Sequence, residues 1–117
     1  MHYLCTMKVH VIKLKTIHDY INENKNSSQY FKIWVRIISN ADWEKPQDIV
    51  ITFGSADILG KGSERVVFNI GRNKYRMICT YYFGLKNVHL YINWIGSHKE
   101  YDKICGENLQ FKIDTYK

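Results

Sequence analysis

Three runs of strand-forming residues, close together in the second half of the chain, constrain the fold most. The runs are RVVFNI (65–70), KYRMICTYYF (74–83) and VHLYINWI (88–95). The links between them, GRN (71–73) and GLKN (84–87), have the length and the turn composition of β-hairpins. The sequence therefore predicts an antiparallel meander of three strands.

The first half of the chain changes period from strand to helix. KVHVIK (8–13) alternates like a strand, and apolar residues then recur at helical spacing over 14–24. A second helix is predicted to begin at Ser27 or Ser28, and DIVITF (48–53) is interpreted as a short strand. The order predicts an α+β fold, in which two N-terminal helices pack on one face of a mainly antiparallel β-sheet.

Length and composition indicate a single folded domain. The chain has 117 residues, of which 45% are hydrophobic and 15% aromatic, which is enough for one core but not for two. We expect 1–117 to form one domain, with residues 1–8 as an N-terminal extension and residues 105–117 as a C-terminal tail. Met7 is an alternative start of the chain.

Cysteine usage and hydropathy exclude several classes of protein. Cys5, Cys79 and Cys105 are widely spaced and form no C-x-x-C pair, so neither a zinc site nor a disulfide framework is predicted. We expect no metal and no cofactor. No apolar run approaches the roughly 20 residues that a membrane span requires, and residues 1–7 lack the apolar core of a secretory signal. A cytoplasmic protein with no membrane partner is therefore predicted.

Net charge and strand alternation together point to RNA as a partner. The net charge is +6 and the pI is near 9.2, which favours an anionic partner, although a soluble protein can simply be basic. Alternation places Val88, Leu90, Ile92 and Trp94 on the apolar face of the last strand. The opposite face of the meander is predicted to carry Arg76, Tyr82, His89, Tyr91 and Asn93. Cations and rings on one surface suit phosphates and bases, and the alternative is an ordinary solvated sheet face.

Three segments resemble one family, the HigB-type toxins of bacterial type II toxin–antitoxin systems, within the RelE-like superfamily. The segments are NADWEKPQDI (40–49) with SADIL (55–59), RVVFNIGRNKYRMI (65–78), and IGSHKEYDKI (95–104). KLKTIHDY (13–20) also looks like the first helix of the family. The resemblance extends over roughly residues 9–104.

The resemblance implies the RelE-like fold and a defined activity. It implies a ribosome-dependent mRNA endoribonuclease (an mRNA interferase) that cuts mRNA in the ribosomal A site and so inhibits translation and growth. It also implies a cytoplasmic protein that is neutralised by a cognate antitoxin, which we expect to be a helix-turn-helix protein.

Metal-free RNA cleavage needs proton transfer and charge stabilisation, and the matching segments supply side chains for both. His98 is suited to proton transfer, Tyr101 to proton donation or to positioning the phosphate, and Arg76 to a bidentate phosphate contact. Glu100 is either the base or the residue that orients His98. RNA-binding roles are predicted for the other polar side chains of this region, which are Asn69, Arg72, Asn73, Lys74, Tyr91 and Asn93.

The segment SHKEYD (97–102) also has a structural interpretation. Ser97 followed by Glu100 three residues later predicts a capping box at the start of a short helix. A capped helix start is a rigid place to carry His98 and Tyr101, so the two interpretations are compatible.

Two departures from the family pattern leave a second function open. Asn93 stands where the family often has arginine, and Arg72 stands in a turn that often has two glycines before the asparagine. Loss of the cation at 93 could weaken cutting and leave an RNA- or antitoxin-binding module of the same fold. A DNA-binding regulator is disfavoured, because no helix combines a basic face with helix-turn-helix spacing.

Overall fold

The computed structural model describes residues 6–117, so Cys5 and most of the predicted N-terminal extension lie outside the described residues. Met7 and Lys8 of that extension are part of the first strand. The elements in chain order are β1 (Met7–Ile12), α1 (Lys15–Glu23), a 3-10 turn (Lys25–Ser27), α2 (Ser28–Ser39), β2 (Asp42–Trp43), α3 (Gln47–Phe53), β3 (Asp57–Leu59), β4 (Arg65–Ile70), β5 (Tyr75–Phe83), β6 (Val88–Ser97) and α4 (His98–Gly106).

The sheet is mixed, with strand order β2-β1-β6-β5-β4-β3. Strands β4, β5 and β6 form the predicted antiparallel meander, whereas β1 lies parallel to β6. The α+β class is therefore confirmed. The arrangement of two N-terminal helices is not confirmed, because the described chain has four helices and two of them follow later in the sequence.

The main core lies between one face of the sheet and the helices. Helix α2 contributes Phe31, Trp34 and Ile38, which are spaced three or four residues apart and are almost fully buried. Trp34 packs on Phe68 of β4, with ring centroids 5.2 Å apart. Burial of each such side chain contributes about 1.5–3 kcal/mol. No helix that the structure describes has both the length and the apolar character to cross a membrane.

The predicted strand 48–53 is wrong, since these residues form α3. The run is rich in β-branched residues, but Pro46 precedes the first turn, where its fixed φ favours a helix. The Asp48 carboxylate accepts hydrogen bonds from the backbone N–H groups of Glu44 and Lys45, at 2.7 and 3.2 Å. Helical spacing then lets Ile49 and Phe53 join the main core. Tertiary packing and the helix start outweigh intrinsic strand propensity here.

A β-bulge in β6 changes which side chains share a face. Ile78 pairs with Trp94 and Cys79 pairs with Ile92, so Asn93 is the extra residue. Val88, Leu90 and Ile92 lie in the main core as predicted. Beyond the bulge the alternation is inverted, so Ile95 enters the main core and Trp94 joins a smaller cluster with Val67, Ile78 and Tyr101. The prediction that Trp94 shares the face of Leu90 is therefore wrong.

Candidate active site

The sheet face opposite the main core carries a polar row at one end. Asn69 of β4 pairs with Arg76 of β5, and Arg76 pairs with Gly96 of β6. Side chains of directly paired residues project on the same side of a sheet. A Cβ atom on Gly96 would lie 2.4 Å from the Trp94 ring, so only glycine fits at the end of this row.

Helix α4 begins immediately after this row, and its start is fixed by the predicted capping box. The backbone N–H of Glu100 donates to Ser97 Oγ at 3.1 Å, and the backbone N–H of Ser97 donates to Glu100 Oε1 at 2.7 Å. The backbone N–H of His98 donates to the Lys74 carbonyl at 3.1 Å. These bonds fix His98, the first residue of α4, against the β4–β5 turn.

The His98 imidazole is oriented by Asp102 rather than by Glu100. His98 Nδ1 lies 3.1 Å from Asp102 Oδ2, across one helical turn. A carboxylate at Nδ1 favours the tautomer with a proton on Nδ1, which leaves Nε2 free to exchange a proton with a substrate. Our sequence interpretation missed Asp102, although its i,i+4 spacing from His98 is the signal that could have found it.

Arg76 is stacked on the ring of Tyr101. The guanidinium carbon lies 5.3 Å from the ring centroid, and Nη2 donates to Asn73 Oδ1 at 3.4 Å. Arg76 Nε is buried and has no hydrogen-bond partner, and within residues 6–117 no carboxylate forms an ion pair with this guanidinium. Arg76 is thus a positioned cation that no carboxylate of the described residues neutralises.

Tyr101 is buried, with only 9% of its surface exposed. Burial is the main cause that raises the pKa of the Tyr101 phenol. The side chain of Cys105 and the charge of Asp57 raise this pKa further, whereas the charge of Arg76 lowers it. The phenol therefore stays protonated across the physiological range of pH. Its ring lies one helical turn after His98 and supports Arg76.

The β4–β5 turn brings Arg72, Asn73 and Lys74 to the same end of the sheet. All three side chains are exposed. Asn69 also lies at this end, where its Nδ2 donates to the Ser55 carbonyl at 3.0 Å. The structure thus groups eight of the ten predicted site residues around α4 and the turn. They are Asn69, Arg72, Asn73, Lys74, Arg76, His98, Glu100 and Tyr101.

Tyr91 and Asn93 are placed elsewhere, beneath the C-terminal segment 109–117. Asn93 is only 2% exposed, and its Oδ1 accepts a hydrogen bond from Thr80 Oγ1 at 2.7 Å. The Asn93 carbonyl accepts from the Thr115 N–H at 2.8 Å, and the Tyr91 hydroxyl donates to the Tyr116 carbonyl at 2.7 Å. In this conformation Asn93 has no surface with which to contact RNA, so we leave it out of the site.

The grouped side chains have the chemistry of an acid–base site with an anion-binding flank. His98 Nε2 can accept or donate a proton, while Arg76 and Lys74 supply positive charge. In the part of the chain that the structure describes, no three His, Cys, Asp or Glu side chains are arranged to hold a metal ion.

Comparison with known proteins assigns the chain to a family. A search of the curated proteins gives no match. A protein-family model for the HigB toxin, the RelE-like toxic component of a toxin–antitoxin system, matches residues 27–104. The match covers well over half of the chain, includes α2 through the first seven residues of α4, and confirms the predicted resemblance. The chain therefore belongs to the HigB toxin family, the RelE-like toxic components of toxin–antitoxin systems, which implies an antitoxin as its partner.

Proposed function

We propose that this toxin is a metal-independent, ribosome-dependent mRNA endoribonuclease. It cuts mRNA in the ribosomal A site, acts in the cytoplasm, and is blocked by a cognate antitoxin of the helix-turn-helix class. The observation that carries the proposal is the His98–Asp102 pair, 3.1 Å apart, at the capped start of α4, the helix whose Tyr101 ring also supports the Arg76 guanidinium.

The chemistry is in-line attack of a ribose 2′-OH on the adjacent phosphorus. His98 Nε2 takes the proton from the 2′-OH, while Asp102 holds the imidazole in the required orientation. Arg76 stabilises the charge that develops on the phosphoryl oxygens. The bond to the 5′ oxygen breaks, this oxygen takes a proton from water, and the products are a 2′,3′-cyclic phosphate and a 5′-hydroxyl end.

Primer extension on a defined mRNA in a translating extract tests this proposal. We expect cuts that require translation, a loss of about 10²–10⁴-fold with His98→Ala, and a loss on the order of tenfold or more with Asp102→Asn. Asp19→Asn is the matched control, because Asp19 forms an exposed i,i+4 pair with Lys15 at 2.9 Å within α1 and touches no residue of the candidate site through this pair. Cuts that survive His98→Ala would remove His98 from the mechanism.

A binding module of the same fold is the second candidate, and burial of Asn93 is the observation that favours it. The family cation often found at this position is absent, and residue 93 faces Thr80 and the C-terminal segment instead of solvent. Well-folded protein that binds the antitoxin but produces no cuts in the same extract would support this candidate.

A further inference from the structure

The β4–β5 turn has an unusual backbone that keeps an arginine in a strained conformation. Gly71 and Arg72 both have φ of 64°, in the left-handed region. Glycine adopts this conformation freely, whereas arginine does so rarely. Strain that is retained at an exposed side chain points to a function of that side chain.

Tyr30, on the first turn of α2, forms one wall of a pocket against this turn. A Cβ atom on Gly71 would lie 2.9 Å from two atoms of the Tyr30 ring, so the ring lies directly on the glycine backbone. Lys74 Nζ donates to the Tyr30 hydroxyl at 3.3 Å and lies 5.3 Å from the ring centroid. The pocket has a volume of about 490 Å³, and its lining residues are Tyr30, Gly71, Arg72, Asn73 and Lys74.

The charge of this pocket is positive and uncompensated. Its lining contains two cations and no carboxylate. Among residues 6–117, Arg72 and Lys74 form no ion pair. The hydrogen bond from Lys74 lowers the pKa of the Tyr30 phenol, as expected beside a cation. The open cavity is surrounded by groups that can donate hydrogen bonds to a phosphate group. These groups are the guanidinium of Arg72, the ammonium of Lys74, the amide of Asn73 and the phenol of Tyr30.

The pocket is joined to the candidate active site through the backbone and side chains of the turn. The Lys74 carbonyl accepts the hydrogen bond from the His98 N–H, and Asn73 Oδ1 accepts from Arg76. The pocket and the candidate active site therefore share the β4–β5 turn.

We propose that Tyr30, Arg72 and Lys74 form a separate subsite for a backbone phosphate of RNA, next to the phosphate that is cleaved. The identity of the anion as RNA rests on the proposed function. Tyr30 is a positioning residue in this arrangement, since its ring fixes the turn and its hydroxyl holds Lys74. The phosphate belongs either to the message or to ribosomal RNA, which share this chemistry.

Salt-dependent binding of a 12-nucleotide single-stranded RNA tests the subsite without cleavage, because 2′-O-methyl groups throughout the oligonucleotide prevent attack. Affinity is measured by fluorescence anisotropy for the wild type, Arg72→Gly, Lys74→Gln and Tyr30→Phe. Loss of one phosphate contact makes the slope of log K against log salt less negative by about 0.7. We expect this change for Arg72→Gly and Lys74→Gln, and a smaller one for Tyr30→Phe, which retains the ring.

Two controls separate binding from folding. Lys45→Gln removes an exposed cation before α3, far along the chain from the turn, and should leave the binding of the oligonucleotide unchanged. Arg72→Gly relieves the left-handed strain and should unfold at the same urea concentration as the wild type or a higher one. Weaker binding by an equally stable protein assigns the effect to the side chain.

A second arm measures co-sedimentation of each variant with purified ribosomes. Weaker co-sedimentation with ribosomes that carry no message assigns the phosphate to ribosomal RNA, and a loss seen only with ribosomes that carry a message assigns it to the message. Wild-type binding by Arg72→Gly and Lys74→Gln in both arms would overturn the subsite. The cutting assay is independent, so a wild type that binds through this pocket but cuts nothing would refute the proposed function and leave the subsite in place.

Discussion

At the scale of single residues, the Arg76–Tyr101 stack explains how the Arg76 guanidinium is held against α4, the helix that also carries His98. Tyr101 is buried among Trp94 and neighbouring apolar side chains, and its ring supports the guanidinium at 5.3 Å. A cation above an aromatic ring gains about 0.5–2 kcal/mol, depending on how far it is desolvated. Because burial raises the pKa of the Tyr101 phenol, this side chain is better suited to support Arg76 than to exchange protons.

Substitutions of Tyr101 separate support from proton transfer. We expect Tyr101→Phe to retain cutting within about threefold, because the ring under Arg76 remains. Tyr101→Ala should lose about tenfold or more, because Arg76 loses its support and Trp94 loses a packing partner. Cutting rates are measured by primer extension in a translating extract, with urea unfolding as the control for folding. Equal losses in both variants at equal stability would make Tyr101 a proton donor instead.

The residues of the candidate site were partly predictable from the sequence. The run SHKEYD after a strand indicated His98 and the cap, and alternation placed Arg76 on the correct face. Burial of Asn93 was not predictable, since it depends on a bulge and on a distant segment. Asp102 was missed because a titratable residue one turn away on a helix is more often a surface residue.

At the scale of elements, local signals predicted α4 correctly but failed for α3. The capping box of α4 is a short-range pattern, in which the bonds join residues three apart, so the sequence contains all of it. Helix α3 depends on packing of Ile49 and Phe53 against distant residues, which periodicity over six residues cannot indicate. Helix α2 begins at the predicted residue, although Ser27 Oγ donates to the Asn24 carbonyl and does not cap the helix.

The capping box makes a prediction that decides the role of Glu100. We expect Glu100→Gln to keep the hydrogen bond from the Ser97 N–H, because an amide oxygen also accepts there. The free energy of unfolding should change by less than about 0.5 kcal/mol, and cutting should be retained. Ser97→Ala should cost about 1 kcal/mol, because the Glu100 N–H loses its acceptor. Urea unfolding and primer extension measure the two properties. A stable Glu100→Gln protein without activity would identify Glu100 as the general base.

At the scale of the whole molecule, four parts of the chain meet around Tyr20 of α1. Its phenol is affected by Glu100 of α4, Tyr75 of β5 and Tyr116 of the C-terminal segment. Burial, followed by these neighbours, raises the pKa of Tyr20 to about 12. The folded state therefore favours the neutral phenol, and the resulting stability is fully present below about pH 10, the usual pKa of tyrosine. This stability is lost as the pH rises from there towards 12.

Tyr20→Phe tests this coupling, because phenylalanine keeps the ring and cannot ionise. We expect the variant to lose less stability than the wild type between pH 9 and pH 11.5, by on the order of 1 kcal/mol after solvent screening. Urea unfolding at several pH values measures the difference. Tyr82→Phe is the control, since Tyr82 is 62% exposed on β5. Parallel stability curves for the wild type and Tyr20→Phe would contradict the coupling.

The C-terminal segment closes an edge that the sheet leaves open. β1 pairs with β6 only as far as Tyr91, so the edge of β6 beyond that residue has no neighbouring strand. The Thr115 N–H donates to the Asn93 carbonyl there, and Arg65 Nη1 donates to the Gln110 carbonyl at 3.0 Å. Ile113 packs on the cluster that contains Trp94 and Tyr101. The segment thus packs on the cluster to which the Tyr101 ring belongs, and links the far end of the chain to the candidate site.

Thr115→Pro removes the donor to Asn93, whereas Thr115→Ala keeps it. We expect Thr115→Pro to lower the free energy of unfolding by about 1–2 kcal/mol, because the Asn93 carbonyl loses its partner and proline restricts the backbone. Thr115→Ala should change it by less than about 0.5 kcal/mol. Limited trypsin digestion gives a local reading, since release of the segment should speed cleavage after the exposed Lys112 in the proline variant alone. If both variants are cleaved at the wild-type rate, the contact with Asn93 does not hold the segment, and Ile113 and Arg65 hold it instead.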